Sequence, residues 1–228
     1  MTEMLSDRLR RRLDLPSHYF RRAFNRRWEY EQADTSAAWD SEPDFEALRA
    51  ALAESADTPE AAFDRLLCLA KDGSVVAMTA VGEAYYWGSG TAVDPTEAEN
   101  WLRRAYELGS RRGLLSYGRV VYGRHDLPAA EQIFRKGADT GWPEAKFRLA
   151  DAIWRGAPGN DKPAEVWTLV EAAATAGHPF ARQWYGGAMA RGHFGLASVP
   201  RGFRLLWTYL REVQRAWGAR TRHASNSG

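Results

Sequence analysis

The chain has 228 residues, a formal net charge of +2, 45% hydrophobic and 26% charged residues, and one cysteine. This is the composition of a globular chain; no run approaches the roughly 18 apolar residues that cross a bilayer, and no apolar stretch backs the N-terminal arginines to make a secretory signal. The lone Cys68 excludes an intramolecular disulfide and a multi-cysteine zinc site, so the expected location is cytoplasmic.

The small net charge conceals a segregation. Residues 8–27 carry eight arginines against Asp14 alone, and residues 29–64 carry eleven acids against Arg49 alone. The first segment is an arginine-rich N-terminal arm over 1–31, with Arg10, Arg11, Arg12, Arg21, Arg22, Arg26 and Arg27 as its candidate contact residues. Interleaved with Leu13, Tyr19, Phe20, Phe24 and Trp28, these arginines suit a protein partner, an anionic membrane surface or an acidic polymer. The arm could equally fold against the acid-rich segment or stay disordered. A net charge near zero speaks against a dedicated nucleic-acid binder.

Residues 43–76 read as a divergent first helix pair, "PDFEALRAALAES" and "TPEAAFDRLLCLAKDG", the second opening on a threonine cap and closing on glycine. Cys68 falls in its apolar stripe and is expected to be buried, as free cysteine behaves as a small hydrophobe.

From residue 77 onward the chain repeats itself. "AMTAVGEAYYWG", "GLLSYGRVVYGR", "AKFRLADAIWRG" and "ARQWYGGAMARG" begin at 77, 113, 145 and 181, which are 36, 32 and 36 residues apart. Their sixth positions read Gly82, Gly118, Ala150 and Gly186. A mid-helix glycine costs about 1 kcal/mol relative to alanine, so close approach of a neighbouring helix is expected there. The second halves end on Gly109, Gly141 and Gly177, which suit the left-handed C-cap. Pro95, Pro128 and Pro163 stand near the starts of these second helices, with Asp94 and Asp161 as candidate caps. The four-residue shortening of the second unit falls in the loop between its helices, where deletion is tolerated. The units are therefore repeats 77–112, 113–144 and 145–180 and a terminal unit 181–217. The terminal unit is expected to cap the stack, with Phe203, Leu206, Trp207, Leu210, Val213 and Trp217 on one face and a disordered tail after it, 218–228.

The pattern of Gly82, Tyr85, Gly88, Gly90, Ala98, Trp101, Ala105 and Gly109, echoed by Ala150, Gly156, Ala164, Trp167, Ala172 and Gly177, resembles the Sel1-like repeat family, a relative of the tetratricopeptide repeat. The resemblance implies an all-α solenoid of antiparallel helix pairs over 43–217, and a bacterial setting. It also implies a non-enzymatic adaptor or scaffold in signalling, in cell-envelope or exopolysaccharide regulation, or in host interaction. The Gly88-Ser89-Gly90 turn then joins two helices of one repeat. No lysine follows it as a phosphate loop would require, and no buried strand precedes it.

By analogy with the tetratricopeptide repeat, positions 3, 7, 10 and 11 of each first helix face a groove. They give Thr79, Glu83, Tyr86 and Trp87; Leu115, Arg119 and Tyr122; Phe147, Asp151, Trp154 and Arg155; Gln183 and Arg191. Aromatics and arginines are the usual interface anchors, and a register shift of one position would make the same aromatics inter-repeat core. The partner-binding set is Glu83, Tyr86, Trp87, Arg119, Tyr122, Asp151, Trp154, Arg155 and Arg191. None of the five histidines pairs with another at i+3 or i+4, and no nucleophile elbow occurs. No catalytic residue, metal or cofactor is assigned. The expected function is a protein or peptide adaptor using the groove. The alternative is a regulator held peripherally at an anionic surface such as the inner membrane by the N-terminal arm.

Overall fold

The computed structural model describes residues 42–55, 57–157 and 163–225, and those residues form ten α-helices and no strand. They are α1 (Phe45–Glu54), α2 (Pro59–Lys71), α3 (Val75–Trp87), α4 (Pro95–Glu107), α5 (Arg111–Gly123), α6 (Leu127–Asp139), α7 (Pro143–Gly156), α8 (Ala164–Thr175), α9 (Pro179–Ala190) and α10 (Val199–Ser225). The chain divides after Pro163 into two compact units, one holding α1–α7 and the other α8–α10. Within each unit every helix packs on its successor, so the fold class is all-α and of the helix-pair solenoid type.

The repeat is set by its punctuation. The first helices begin at Val75, Arg111, Pro143 and Pro179, which keeps the 36, 32 and 36 residue intervals of the sequence. Ser74 and Ser110 cap two of them by accepting the amides of Ala77 and Gly113 at 3.0 and 2.9 Å. Asp94 caps α4 through the amides of Thr96 and Glu97, and Asp126 caps α6 through Ala129. Gly109, Gly141 and Gly177 close the second helices with φ of 85°, 85° and 97°. Thr58 stands at the N-cap of α2 but makes no side-chain cap bond. Asp161 lies outside the described residues.

The sixth-position glycines sit where helices touch. A Cβ on Gly82 would meet Leu102 Cγ at 2.6 Å, one on Gly118 would meet Phe134 Cε1 at 2.4 Å, and one on Gly186 would meet Leu206 Cγ at 3.1 Å. The backbones of α3, α5 and α9 therefore rest directly on a large side chain of the following helix. Alanines fill the remaining seams: in the first unit Ala51, Ala70, Ala77 and Ala105 are fully buried beside Leu48 and Val81.

Three expectations need correcting. Cys68 is exposed: the buried stripe of α2 is Ala62, Phe63, Leu66 and Ala70, and residue 68 is carried off it by the 100° step of the helix. Among the described side chains of α10, Tyr209 and Val213 are buried along with Gly202, while Phe203 and Trp207 are 61% and 60% exposed. Gly202 rather than Phe203 meets α9; its Cβ would lie 2.5 Å from the Ala190 backbone nitrogen, and that contact fixes the helix's rotation. Finally, α10 continues to Ser225, so most of the stretch expected as a disordered tail is helical.

Candidate functional site

The first helices α3, α5 and α7 of the first unit are tied to one another by side chains at the positions expected to face a groove. Glu83 on α3 accepts hydrogen bonds from Arg112 Nε at 3.2 Å, from a second Arg112 nitrogen, and from Ser116 Oγ at 2.7 Å. One repeat later, Tyr122 on α5 donates its hydroxyl to Asp151 on α7 at 2.6 Å, and Arg155 pairs with Asp151 at 3.3 Å while its guanidinium lies 5.5 Å from the Tyr122 ring centre. The carboxylate at position 7 is thus a bridge between neighbouring repeats.

The cost of removing the Tyr122 phenol from water pushes its pKa well above the ordinary value, and its hydrogen bond to the Asp151 carboxylate adds to that. Tyr185, in the other unit, is pushed up to about 12, by burial first and then by Glu171. A phenol whose folded pKa is raised contributes stability that is present below its unfolded pKa, near 10, and is lost as pH rises toward the folded value. In an absorbance titration of the nine tyrosines, these two should ionise late. Tyr122→Phe should remove one late phenol without moving the early ones, with circular dichroism monitoring the fold. A Tyr122 that ionises with the early group would contradict the buried bond to Asp151.

Among the described residues, two cavities lie along these helices. The first, about 220 Å³, is floored by Leu52, Phe63, Leu66 and Ala84 and walled by Glu83, Trp87 and Arg112. Trp87 stands at its side 65% exposed, with Tyr86 edge-on to it at 4.7 Å. The second, about 450 Å³, is lined by Tyr122, Gly123, His125, Leu127, Trp154 and Arg155. Trp87, Gly123 and Arg155 all occupy position 11 of their repeats, so both cavities sit at the C-terminal ends of first helices. His125 holds a left-handed φ of 63° at the second cavity, in the shortened loop of the second repeat.

The structure therefore gathers Glu83 and Trp87 at one cavity and Tyr122, Asp151, Trp154 and Arg155 at or beside the other. Arg119 is half-buried on α5, and Tyr86 is half-buried with its hydroxyl beside Gly123. Arg191 is the exposed C-cap of α9 in the other unit. Position 3 faces inward in the first two repeats, where Thr79 and Leu115 are 1% and 0% exposed. The N-terminal arm, with Arg10, Arg11, Arg12, Arg21, Arg22, Arg26 and Arg27, lies outside the described residues. Leu52, Phe63 and Leu66 come from the divergent first pair, and the repeat pattern gave no register by which to place them. Arg112 precedes its repeat's first aligned residue. Among the described residues no group of three or more His, Cys, Asp or Glu side chains could hold a metal, and no helix is long and apolar enough to cross a membrane.

Comparison with known proteins supports this architecture. Residues 75–110 match the model of the Sel1 repeat. No curated protein matches the sequence. Among solved structures, a Sel1 repeat protein from Oxalobacter formigenes superposes with a TM-score of 0.61 at 19% identity, over 70% of each chain. A protective antigen of uropathogenic Escherichia coli strains with an SLR fold superposes with a TM-score of 0.56 at 21% identity. That match takes in 68% of this chain, which spans about a third of the antigen, 34% of its length. With the repeat punctuation and the glycine contacts, these likenesses show that residues 75–110 are a Sel1 repeat and that the chain shares the all-α helix-pair fold of the solved Sel1 and SLR proteins.

Proposed function

We propose that this protein is a non-enzymatic adaptor that holds a peptide segment of a partner protein along the first helices of its repeats. The observation that carries this reading is the pair of cavities at equivalent ends of those helices. Both are walled by tryptophan, arginine or tyrosine, and the first has an apolar floor. Such pockets are where interface anchors insert. The polar side chains around them are already fixed by inter-repeat bonds, so the walls are in place before a partner arrives, which lowers the ordering cost of binding. Bacterial signalling and envelope regulation are the settings that the family resemblance suggests for such an adaptor.

Selection from a random peptide library against the full chain tests the reading. The wild type should enrich peptides sharing apolar or aromatic anchors. Enrichment should fall at least ten-fold for Trp87→Ala/Trp154→Ala and persist for Leu108→Ala, the exposed C-cap of the second helix α4. Enrichment unchanged in the double variant would sink the groove assignment.

A further inference from the structure

We infer that the outer face of α10 is a docking surface for an anionic phospholipid bilayer, separate from the cavities of the first unit. With about 100° per residue, Tyr209 and Val213 point toward α9 at about 240° and 280° if Phe203 is set at zero. Trp207 then lies at about 40°, and Arg211, Arg204 and Arg215 follow between about 80° and 120°. The outward side of the helix is therefore an aromatic strip bordered by a strip of arginines.

Exposure agrees with this wheel. Phe203 and Trp207 are each about three-fifths exposed, at 61% and 60%, and the three arginines are exposed. The neighbouring charges are consumed elsewhere. Arg201 pairs with Glu171, and Glu212, the only acid between Val199 and Arg215, is held by both its oxygens to Arg182 at 2.7 and 2.8 Å. Arg204, Arg211 and Arg215 have no acidic partner among the described residues.

The chemistry of this surface selects its occupant. Tryptophan and phenylalanine sit well at the headgroup boundary, and arginines reach lipid phosphates while their stems cover apolar surface. Phe203, Trp207 and the three arginines line neither cavity described above. A second copy would bring one arginine strip against another. A planar anionic surface satisfies both strips together.

Co-sedimentation of the full chain with vesicles is the test. Phosphatidylcholine vesicles should leave it in solution, and vesicles with about one-third phosphatidylglycerol should carry it down. Phe203→Ala/Trp207→Ala should weaken sedimentation about ten-fold, with Trp207→Phe alone retaining most of it. Arg204→Gln, Arg211→Gln and Arg215→Gln should each cost about five-fold. These side chains are exposed, and circular dichroism checks that the variants fold. Three results would each overturn the proposal: no sedimentation with phosphatidylglycerol, sedimentation undiminished in the α10 variants, or loss only when the arginines of residues 10–27 are replaced by glutamine. The last would assign lipid binding to the N-terminal arm.

Discussion

Replacing Gly90 by alanine is expected to destabilise the unit holding α1–α7 by about 3–5 kcal/mol. Gly90 has a φ of 72°, and a Cβ there would lie 2.0 Å from the Pro59 carbonyl oxygen and 2.4 Å from its carbonyl carbon. Both obstacles are backbone atoms at the start of α2 and cannot rotate away. The turn between α3 and α4 would have to lift off α2, opening the apolar cavity that α2 floors. Gly109→Ala is the matched control, because its φ is 85° but nothing lies within 4 Å of the added carbon. It should cost only the left-handed backbone term, about 1–2 kcal/mol. Urea denaturation of the two variants separates contact from conformation; equal losses would show that the Gly90 contact is not tight.

Glu83→Ala should cost about 3 kcal/mol, because it strands two partners at once. The Glu83 side chain is 15% exposed and Ser116 6% exposed. Its loss leaves a buried hydroxyl without its acceptor and Arg112 without its carboxylate. Glu83→Gln keeps an acceptor for Ser116 but not the charge, and should cost about half as much. A cycle of Glu83→Ala with Arg112→Ala should show strong coupling, since the two touch; additive losses would mean that the pair contributes nothing beyond its separate parts. In peptide selection, both variants should also widen the sequences enriched, as Glu83 and Arg112 wall the first cavity.

The fold was legible because each repeat announces itself locally. A small residue at the helix crossing, a proline at the next start and a left-handed glycine at the close lie within one unit and need no knowledge of the rest. Gly82 and Gly118 could be read as crossing points for that reason. Helix rotation was harder to read. Thr79, Leu115 and Cys68 fall on the opposite sides from those the periodicity suggests, and the hydrophobicity of Phe203 and Trp207 fits a core face; the tight Gly202 contact that turns them outward is not visible as a hydrophobic signal. The candidate site was legible in residue type but not in pairing. Tyr122 and Asp151 are 29 residues apart, as are Arg112 and Glu83, and nothing in either local sequence says that the partner is there. Most of the cavity floor, Leu52, Phe63 and Leu66, comes from the divergent pair, whose residues have no repeat register to borrow.

If a partner is held as proposed, the C-terminal ends of the first helices are the working surface. Hydrogen–deuterium exchange of the full chain, with and without a peptide enriched by selection, tests it most directly. New amide protection is expected at the C-terminal ends of α3 and α7 and in the Arg124–Leu127 turn, with α4 and α6 unchanged. Protection confined to α4 and α6 would contradict it and move the interface to the second helices.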